Sequence, residues 1–375
     1  MNIKYFDNAA TTKISNEVLN EMFPYFSDIY YNASSIYSGG KLAKEGIELA
    51  RIRVAKVINA KPEEIYFTSG GSESDNLAIK GIVVANTNRG RHIITSKIEH
   101  PAVLNTCKTL EKVGYRVTYL DVDSNGIINM NNLKKNIRRD TILISIMSAN
   151  NEIGTIQPLE EIGEIARRNN IIFHTDSVQA IGNIKIDVNK YKIDSLSISG
   201  HKFYGPKGVG VLYVRNGIKF TRQIDGGHQE KDKRAGTENT PGIVGLGKAI
   251  EIADRDFDKN VSRLITLREY YFNKIKENFR NYIINGDRRL RLPGNTNVSF
   301  RGMNGNYIVS KLAENGIYAS SMSACSSGYF NPSHVLLSIG LNKEEAVSAL
   351  RVTFGKDNTI EEVNELIENL KRIIN

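Results

Sequence analysis

The sequence predicts an α/β fold in which a mostly parallel β-sheet is covered by helices on both faces. Short runs rich in β-branched residues alternate with helical stretches along the chain, which is the pattern of repeated βα units. The predicted strands are mostly apolar along their length, as expected for strands that are buried on both faces. The chain has 375 residues, of which 40% are hydrophobic and 24% are charged. These values are ordinary for a soluble globular protein of two or three domains.

The predicted sheet lies in the first 214 residues. The run E-I-Y-F-T at residues 64–68 and the run T-I-L-I-S-I-M at residues 141–147 have the composition of buried strands. Further strands are predicted at residues 92–96, 116–120, 171–175, 194–199 and 209–214. Helices are predicted between them at residues 74–85, 102–113, 133–137 and 159–169.

The pattern of predicted helices and strands changes after residue 215. Residues 241–279 are predicted to form one nearly continuous helix or two helices in tandem. Short strands at residues 296–300 and 349–354 then mix with helices at residues 307–315 and 360–374, which indicates a smaller α+β domain. The expected domains are a large domain of residues 15–255 and a small domain made of residues 1–14 and 256–375.

Composition excludes several classes of protein. The chain has no uncharged apolar run near the roughly 18 residues that would span a bilayer, and residues 1–12 lack the apolar core of a signal peptide. We therefore expect a cytoplasmic protein without a membrane partner. The two cysteines, Cys107 and Cys325, are too few for a disulfide scaffold or a structural zinc site. No metal site is predicted.

The net charge of +9 leaves two interpretations open. A basic protein can bind a polyanion such as a nucleic acid, and its affinity would then depend strongly on salt. The basic residues are scattered along the chain, however, and this favours a solvated basic surface without direct binding to nucleic acid.

Polar residues follow the predicted strands, where open α/β sheets bind their ligands. Gly71 and Ser72 come after the first strand and open a helix, so they form either a phosphate-binding cup or an ordinary glycine turn. His100 follows the second strand, and a lone histidine there is more often structural than catalytic. The run N-N-E-x-G at residues 150–154 is either a turn or part of a substrate site.

Asp176 and Lys202 follow two later strands. A carboxylate at a buried strand end requires a partner, and a protonated ring nitrogen is one suitable partner. A lysine between glycine turns can project into a cleft, where desolvation favours its neutral, nucleophilic form. Taken alone, however, such a lysine is more often a surface residue in a loop. Together with the glycine-rich cup, these groups supply the three anchors that pyridoxal phosphate needs: donors for the phosphate, a carboxylate for the ring and an amine for the aldehyde.

The chain resembles the NifS/IscS-type cysteine desulfurases through six motifs that occur in the family's order. The resemblance extends from residue 5 to about residue 355, which is nearly the whole chain. The motifs are Y-F-D-N-A-A-T-T (residues 5–12), T-S-G-G-S-E-S-D-N (68–76), A-N-N-E-I-G-T-I-Q-P (149–158), S-G-H-K-F-Y-G-P-K-G (199–208), R-A-G-T-E-N (234–239) and S-A-C-S-S-G (323–328).

The resemblance implies a role for each matching residue. Lys202 would carry the cofactor covalently, Asp176 would pair with the ring nitrogen, and Gln179 would bond the ring hydroxyl. His100 would lie over the ring and move protons. Asn151 and Arg351 would hold the substrate carboxylate, and Cys325 would accept the sulfur. The phosphate would be held by Gly71, Ser72, Ser199 and His201, together with Thr237 from the other subunit of a homodimer.

The resemblance also implies an aspartate-aminotransferase-like fold, that is, pyridoxal-phosphate fold type I with a seven-stranded, mostly parallel sheet and a small α+β domain. The implied activity converts L-cysteine to L-alanine and leaves a persulfide on Cys325. That sulfur would pass to an acceptor protein for iron–sulfur clusters, tRNA thiolation or a thio-cofactor, and a scaffold protein would meet Cys325 at an iron–sulfur cluster. A selenocysteine lyase or another lyase of the same fold is the alternative enzyme.

A few positions depart from the family pattern. Tyr37 stands where histidine is usual, Met322 where glycine is common, and Lys231 and Asp232 where the family usually has arginine and glycine. Ala33 replaces a usual proline. These departures remove no catalytic group.

Overall fold

The structure, a computed structural model, describes residues 3–321 and 332–374. Within these residues the strands form sheets of seven, four and two strands. The strands are β1 (Lys4–Tyr5), β2 (Ile65–Thr68), β3 (His92–Ser96), β4 (Arg116–Leu120), β5 (Thr141–Ser145), β6 (Ile172–Asp176), β7 (Ser195–Ser199), β8 (Gly210–Val214), β9 (Tyr282–Ile284), β10 (Asn295–Phe300), β11 (Ile317–Tyr318), β12 (Ser320–Ser321) and β13 (Ala349–Thr353). The helices are α1 (Asn16–Met22), α2 (Pro24–Ser27), α3 (Ser38–Val57), α4 (Gly71–Ala85), α5 (Pro101–Lys112), α6 (Met130–Asn136), α7 (Leu159–Arg168), α8 (Gln229–Asp232), α9 (Thr240–Arg255), α10 (Phe257–Asn278), α11 (Gly305–Glu314), α12 (His334–Ser338), α13 (Lys343–Val347) and α14 (Ile360–Ile374).

The seven-stranded sheet has the order β2-β8-β7-β6-β5-β3-β4. Strand β8 is antiparallel to both of its neighbours, and the other six strands run in one direction. Every residue of β3, β5, β6 and β7 is buried, because helices cover the sheet on both faces. The prediction of a mostly parallel, seven-stranded sheet is therefore confirmed.

Local sequence explains where several helices begin and end. The N–H of Val18 donates to the Ser15 hydroxyl, which caps the start of α1. Helix α7 has two glutamates in its first turn and two arginines in its last turn, as the helix dipole favours. The stretch predicted at residues 241–279 is two helices in tandem, α9 and α10, which meet at Asp256.

The four-stranded antiparallel sheet, in the order β12-β13-β10-β9, lies beside a core of its own. This core contains Phe6 and residues from Leu264 to Leu370, whereas the main core contains residues from Val18 to Ile250. The two cores support the division that the sequence predicts, and we propose domains of residues 15–255 and of residues 1–14 with 256–375. The N-terminal segment reaches the smaller core because β1 pairs with β11 and Asp7 pairs with Thr353.

The structure differs from the sequence-based expectations in local detail. Helices α1 to α3 were not predicted, and the strand expected over residues 141–147 ends at Ser145. Asp176 is the last residue of β6, not the residue after it. None of the described helices combines the length and the apolar character needed to cross a membrane.

Candidate active site

A pocket opens at the carboxyl ends of the parallel strands, where the sequence predicts it. Asp176 ends β6 and Ser199 ends β7, and a 3-10 turn over Gly200–Lys202 carries the lysine into the same pocket. One oxygen of the Asp176 carboxylate accepts the Val178 N–H at 2.9 Å. Neighbouring strand ends thus bring the predicted acid and the predicted amine together.

The first turn of α4 forms one end of the pocket. A β-carbon at Gly71 would lie only 2.8 Å from Cγ2 of Val178, so this position has room only for glycine. The free N–H groups of Gly71 and Ser72 point out of the helix start, and Ser199 and His201 line the pocket with them. This set of donors suits a phosphate.

A second layer of buried polar groups lies behind Asp176. His174 is fully buried, with Nδ1 2.9 Å from the Ser145 hydroxyl and Nε2 3.1 Å from the Ser197 hydroxyl. Burial lowers the pKa of His174 to about 3, so its ring is neutral. Asp75 lies 3.7 Å from this ring, and burial together with Asp176 raises the pKa of the Asp75 carboxyl. Burial also raises the pKa of Asp176, whereas His100 and Lys202 lower it, so Asp176 is better placed than Asp75 to carry a negative charge.

His100 caps α5 and is fixed by that role. Its Nδ1 accepts the Ala102 N–H at 3.1 Å, which assigns the proton of the neutral ring to Nε2. Burial lowers the pKa of His100, so the ring is neutral near pH 7. The preceding residue, Glu99, is fully buried and accepts the Ser96 hydroxyl at 2.6 Å and the Met147 N–H at 3.0 Å. Glu99 thereby ties the loop that carries His100 to the end of β5.

The Lys202 amine is held by the N-terminal segment. Its Nζ donates to the carbonyls of Ala9 at 2.6 Å and Ala10 at 2.8 Å. Burial, followed by the charge of Arg351, lowers the pKa of Lys202 to about 8. A substantial neutral fraction therefore exists near neutral pH, as a nucleophilic amine requires. The Gln179 side chain donates to the same Ala9 carbonyl at 2.9 Å.

Arg351 and Asn151 line the opposite wall of the pocket. Arg351 lies in β13, and its guanidinium donates to Asp7 at 2.7 Å and to the Asn151 carbonyl at 3.2 Å. The run N-N-E-x-G at residues 150–154 forms a turn and also contributes to the pocket, so both interpretations of the sequence apply. The Asn150 side chain accepts the N–H groups of Glu152 and Ile153 and so forms the turn, whereas Asn151 lines the pocket.

One predicted site residue, Thr237, is not in this pocket. Thr237 lies in a separate hollow beside Gly208 and Glu238. Cys325 lies outside the described residues, as does Met322. Of the residues that depart from the family pattern, Lys231 and Asp232 have left-handed backbone, with φ of 57° and 65°. Asp232 thus holds, at some cost in strain, a conformation that glycine adopts freely.

Comparison with known proteins identifies the family. The family model described as aminotransferase class-V matches residues 4–366. The chain belongs to the class-V aminotransferase family. It is 51% identical to a protein of Clostridium botulinum (strain Hall) named cysteine desulfurase IscS, over 99% of this chain and 94% of that protein. It is 50% identical to a protein of the same name from Methanosarcina thermophila, over 99% of this chain and 91% of that protein.

Solved structures give the same result. A structure titled NifS-like protein superposes with a TM-score of 0.93 at 38% identity and covers 99% of each chain. A structure titled SspA in complex with cysteine has a TM-score of 0.83 at 40% identity, over 94% of this chain and 98% of that one. The predicted resemblance and the predicted fold, pyridoxal-phosphate fold type I, are confirmed.

The pocket fits the cofactor of this family, pyridoxal phosphate. The cradle at Gly71 would be filled by any β-carbon, and it places free N–H groups where a phosphate needs donors. The buried Asp176 carboxylate suits a protonated ring nitrogen, and the Lys202 amine suits the aldehyde. The donor set therefore matches all three ends of the molecule.

Sequence reasoning missed several groups that shape the pocket. Asp75 and His174 stand inside recognised stretches of sequence, but nothing in the local pattern shows that they meet. Asp7 belongs to the first quoted motif, yet its partner Arg351 is 344 positions away. Glu99 had one available signal, because a carboxylate beside a candidate catalytic histidine is a common arrangement.

Proposed function

We propose that this protein is a pyridoxal-phosphate-dependent cysteine desulfurase. The reaction converts L-cysteine and the Cys325 thiol into L-alanine and a Cys325 persulfide. The carbon–sulfur bond of the substrate breaks, a sulfur–sulfur bond forms, and the thiol proton balances the new C–H bond, so no external oxidant is needed. The observation that carries the proposal is the convergence of Lys202, Asp176, His100 and the α4 cup in one pocket.

The strand-end wall would hold the cofactor. Gly71, Ser72, Ser199 and His201 would bind the phosphate, Asp176 the ring nitrogen and Gln179 the ring hydroxyl. When bound, pyridoxal phosphate supplies an electron sink for the substrate carbon that bears the amino group. Of the two buried carboxyls, Asp176 is the one whose pKa Lys202 lowers, so it would be the anion that meets the ring.

The residues of the opposite wall would bind and orient L-cysteine. Arg351 suits the substrate carboxylate because its planar fork can donate to both oxygens, and Asn151 lies beside it. His100 exchanges a proton at Nε2, since Nδ1 is occupied by the Ala102 N–H. Its burial keeps the ring neutral, so this exchange does not begin from a charged imidazole.

Cys325 is the proposed sulfur acceptor within the enzyme. The other cysteine, Cys107, is fully buried in α5, and burial raises the pKa of its thiol to about 12. Cys107 is therefore unsuited to nucleophilic attack, which requires a thiolate. An acceptor protein for iron–sulfur cluster assembly or tRNA thiolation would take the persulfide sulfur from Cys325.

We further propose a homodimer whose Thr237 reaches the phosphate of the partner subunit. Thr237 is outside the pocket of its own chain, which leaves it available for another. An exposed apolar surface supports the same conclusion: Ile36 is 92% exposed and Phe23 is 70% exposed. The other exposed large apolar side chains of this region are Leu19, Phe26, Tyr30, Tyr37, Leu42, Leu49 and Ile52.

The proposed activity is tested by spectrum and product together. The purified protein should show a visible cofactor band and release sulfide from L-cysteine when a thiol reductant is present. Lys202→Ala should lose the covalent cofactor band and turnover. A fully active Lys202→Ala variant would refute the cofactor assignment.

The sulfur acceptor is tested by one turnover followed by mass spectrometry. Cys325→Ser should still bind L-cysteine and shift the cofactor band, but it should form no persulfide. The matched variant Cys107→Ser should form the persulfide on Cys325 as the natural protein does. Sulfur found on Cys107, or full activity in Cys325→Ser, would overturn the mechanism.

The dimer is tested by mixing two inactive variants. Lys202→Ala and Thr237→Ala subunits should recover part of the activity after exchange, because one hybrid site then contains neither substitution. Sedimentation that shows a fully active monomer would refute this proposal.

A further inference from the structure

The N-terminal segment of residues 5–12 touches both walls of the pocket, although the proposed function gives it no role. Lys202 and Gln179 donate to its Ala9 carbonyl, and His201 lies 3.1 Å from the Thr11 hydroxyl. At the other wall, Asp7 accepts a hydrogen bond from Arg351 at 2.7 Å. The segment is therefore part of the site and not merely a terminal strand.

The Arg351 guanidinium is almost fully buried, with 6% of the residue exposed. A buried guanidinium needs a counter-charge, and within the described part of the chain Asp7 is the carboxylate at ion-pair distance from it. One terminal nitrogen donates to Asp7 and the other donates to the Asn151 carbonyl. The Nε–H has no acceptor among residues 3–321 and 332–374. Arg351 thus retains donors for a second oxygen-bearing group.

Asp7 is itself held in place by the main chain. It pairs with Thr353, two residues beyond Arg351 on the same strand, in a parallel bridge. The Tyr5 hydroxyl lies 3.0 Å from the Asp7 carbonyl oxygen and 3.0 Å from the Thr11 carbonyl oxygen, which share its single proton. The Thr353 N–H donates to the Phe6 carbonyl at 2.7 Å. These bonds fix the main chain of Asp7 beside β13, and the short side chain of Asp7 then presents its carboxylate to Arg351.

We propose that Asp7 is a positioning residue that sets the preference of the pocket for ligands with an α-carboxylate. Asp7 holds one terminal nitrogen of Arg351, and the guanidinium retains N–H donors that would bind the substrate carboxylate. Without Asp7 the fork is free to turn, and its match to a planar carboxylate is lost. The inference rests on the proposed function, in which Arg351 receives the substrate carboxylate.

The test compares two ligands that differ only in a carboxylate, L-alanine and ethylamine. Affinity of the cofactor-loaded protein for each is measured from the change in the visible cofactor band. In the natural protein L-alanine should bind much more tightly than ethylamine. Asp7→Ala should reduce this ratio by about tenfold, since one partner of a buried charged hydrogen bond is removed. The affinity for ethylamine should stay the same.

Two further variants make the test specific. Asp7→Asn keeps an acceptor oxygen and loses only the charge, so its ratio should fall less, by about threefold. In an Arg351→Ala background, Asp7→Ala should cause no further loss, because Asp7 acts through Arg351. The matched control is Glu17→Gln, which removes the charge from an exposed carboxylate that Arg255 contacts at 3.0 Å, and it should leave the ratio unchanged.

Each other outcome overturns the inference. An unchanged ratio in Asp7→Ala excludes a positioning role, and an equal loss for both ligands indicates a purely structural one. Tighter binding of L-alanine would show that Asp7 competes with the substrate. If Arg351→Ala keeps the ratio, the proposed binding of the substrate carboxylate by Arg351 is wrong as well. If Arg351→Ala loses the ratio and Asp7→Ala keeps it, only the role of Asp7 is wrong.

Discussion

The two walls of the pocket are built in different ways. The cofactor wall comes from neighbouring strand ends of one sheet, where Asp176, Ser199 and Lys202 lie within 27 positions of one another. The substrate wall joins residues that are far apart in the chain, namely Asp7, Asn151 and Arg351. The first wall is a product of sheet topology, and the second depends on side-chain contacts between distant segments.

The two walls also differ in how their ionisable groups are stabilised. In the cofactor wall, burial raises the pKa of Asp75 and Asp176 and lowers the pKa of His174 and Lys202. In the substrate wall, the charge of the buried Arg351 is paired directly with the Asp7 carboxylate at 2.7 Å. The charge of Arg351 reaches the other wall, because it helps to lower the pKa of Lys202. Ligand binding by the two walls should otherwise respond separately to substitution, and this can be tested.

The largest effect is expected for Asp176→Ala in the cofactor wall. The variant removes the carboxylate that would meet the ring nitrogen, and the affinity of the cofactor-free protein for pyridoxal phosphate should fall by about a hundredfold. Equilibrium titration with pyridoxal phosphate measures this. An unchanged affinity would contradict the role of Asp176 and the distinction between the walls.

The next largest effect concerns the pH dependence of stability. Burial raises the pKa of Glu99 to about 8, so the folded chain holds this proton more tightly than the unfolded chain. The stabilisation is complete at acidic pH and is lost as the pH rises through about 8. Glu99→Gln has no such loss. The difference in the free energy of unfolding between Glu99→Gln and the natural protein should therefore shift in favour of the variant by about 1.4 kcal/mol per pH unit between about pH 5 and 8.

Denaturant unfolding at several pH values checks this prediction. Glu344→Gln is the matched control, because Glu344 is exposed and should show no such trend. Parallel curves for Glu99→Gln and the natural protein would mean that Glu99 is already ionised in the folded chain.

A smaller effect is expected for Asn8→Ala, which loosens the substrate wall. The Asn8 side chain donates to the Thr353 carbonyl at 2.8 Å and so anchors the N-terminal segment beside β13. Loss of this bond costs about 1 kcal/mol, and the affinity for L-alanine should fall by about threefold while that for pyridoxal phosphate is unchanged. Titration of both ligands gives the answer. A larger loss of affinity for pyridoxal phosphate than for L-alanine would contradict the distinction between the two walls.

The smallest effect on the pocket is expected for Cys107→Ser, which changes neither wall. Cys107 is packed in the core beneath the sheet, and a buried hydroxyl there should lower the free energy of unfolding by about 1–2 kcal/mol. Affinities for pyridoxal phosphate and L-alanine should match those of the natural protein. In that protein, a thiol reagent should leave Cys107 unmodified until the chain unfolds. Rapid modification of folded protein would contradict its burial.

The cofactor wall could be predicted from sequence because its signals are local. Apolar runs mark the strands, and the polar residues after them share one edge of the sheet. Asp176, Lys202 and the Gly71 cup were all found in this way. The contact of Asp7 with Arg351 could not be found, because no local pattern links residues 344 positions apart.

Other features of the fold were hidden for comparable reasons. The antiparallel direction of β8 was not predicted, since an apolar run does not encode the direction of its strand. Helix α3 was missed because Gly39, Gly40 and Gly46 lower its helix propensity. Tertiary packing requires these glycines, since a β-carbon at Gly46 would lie 2.5 Å from the Tyr25 hydroxyl.

The contact between Asp7 and Arg351 has a consequence for protein synthesis. The strands of the large sheet are complete once residue 214 has left the ribosome, whereas β13 emerges more than a hundred residues later. A growing chain can therefore order the cofactor wall while Asp7 still lacks its partner. The substrate wall can form only when Asp7 and β13 meet, so a chain truncated before residue 349 should lack this wall even if its large sheet is folded.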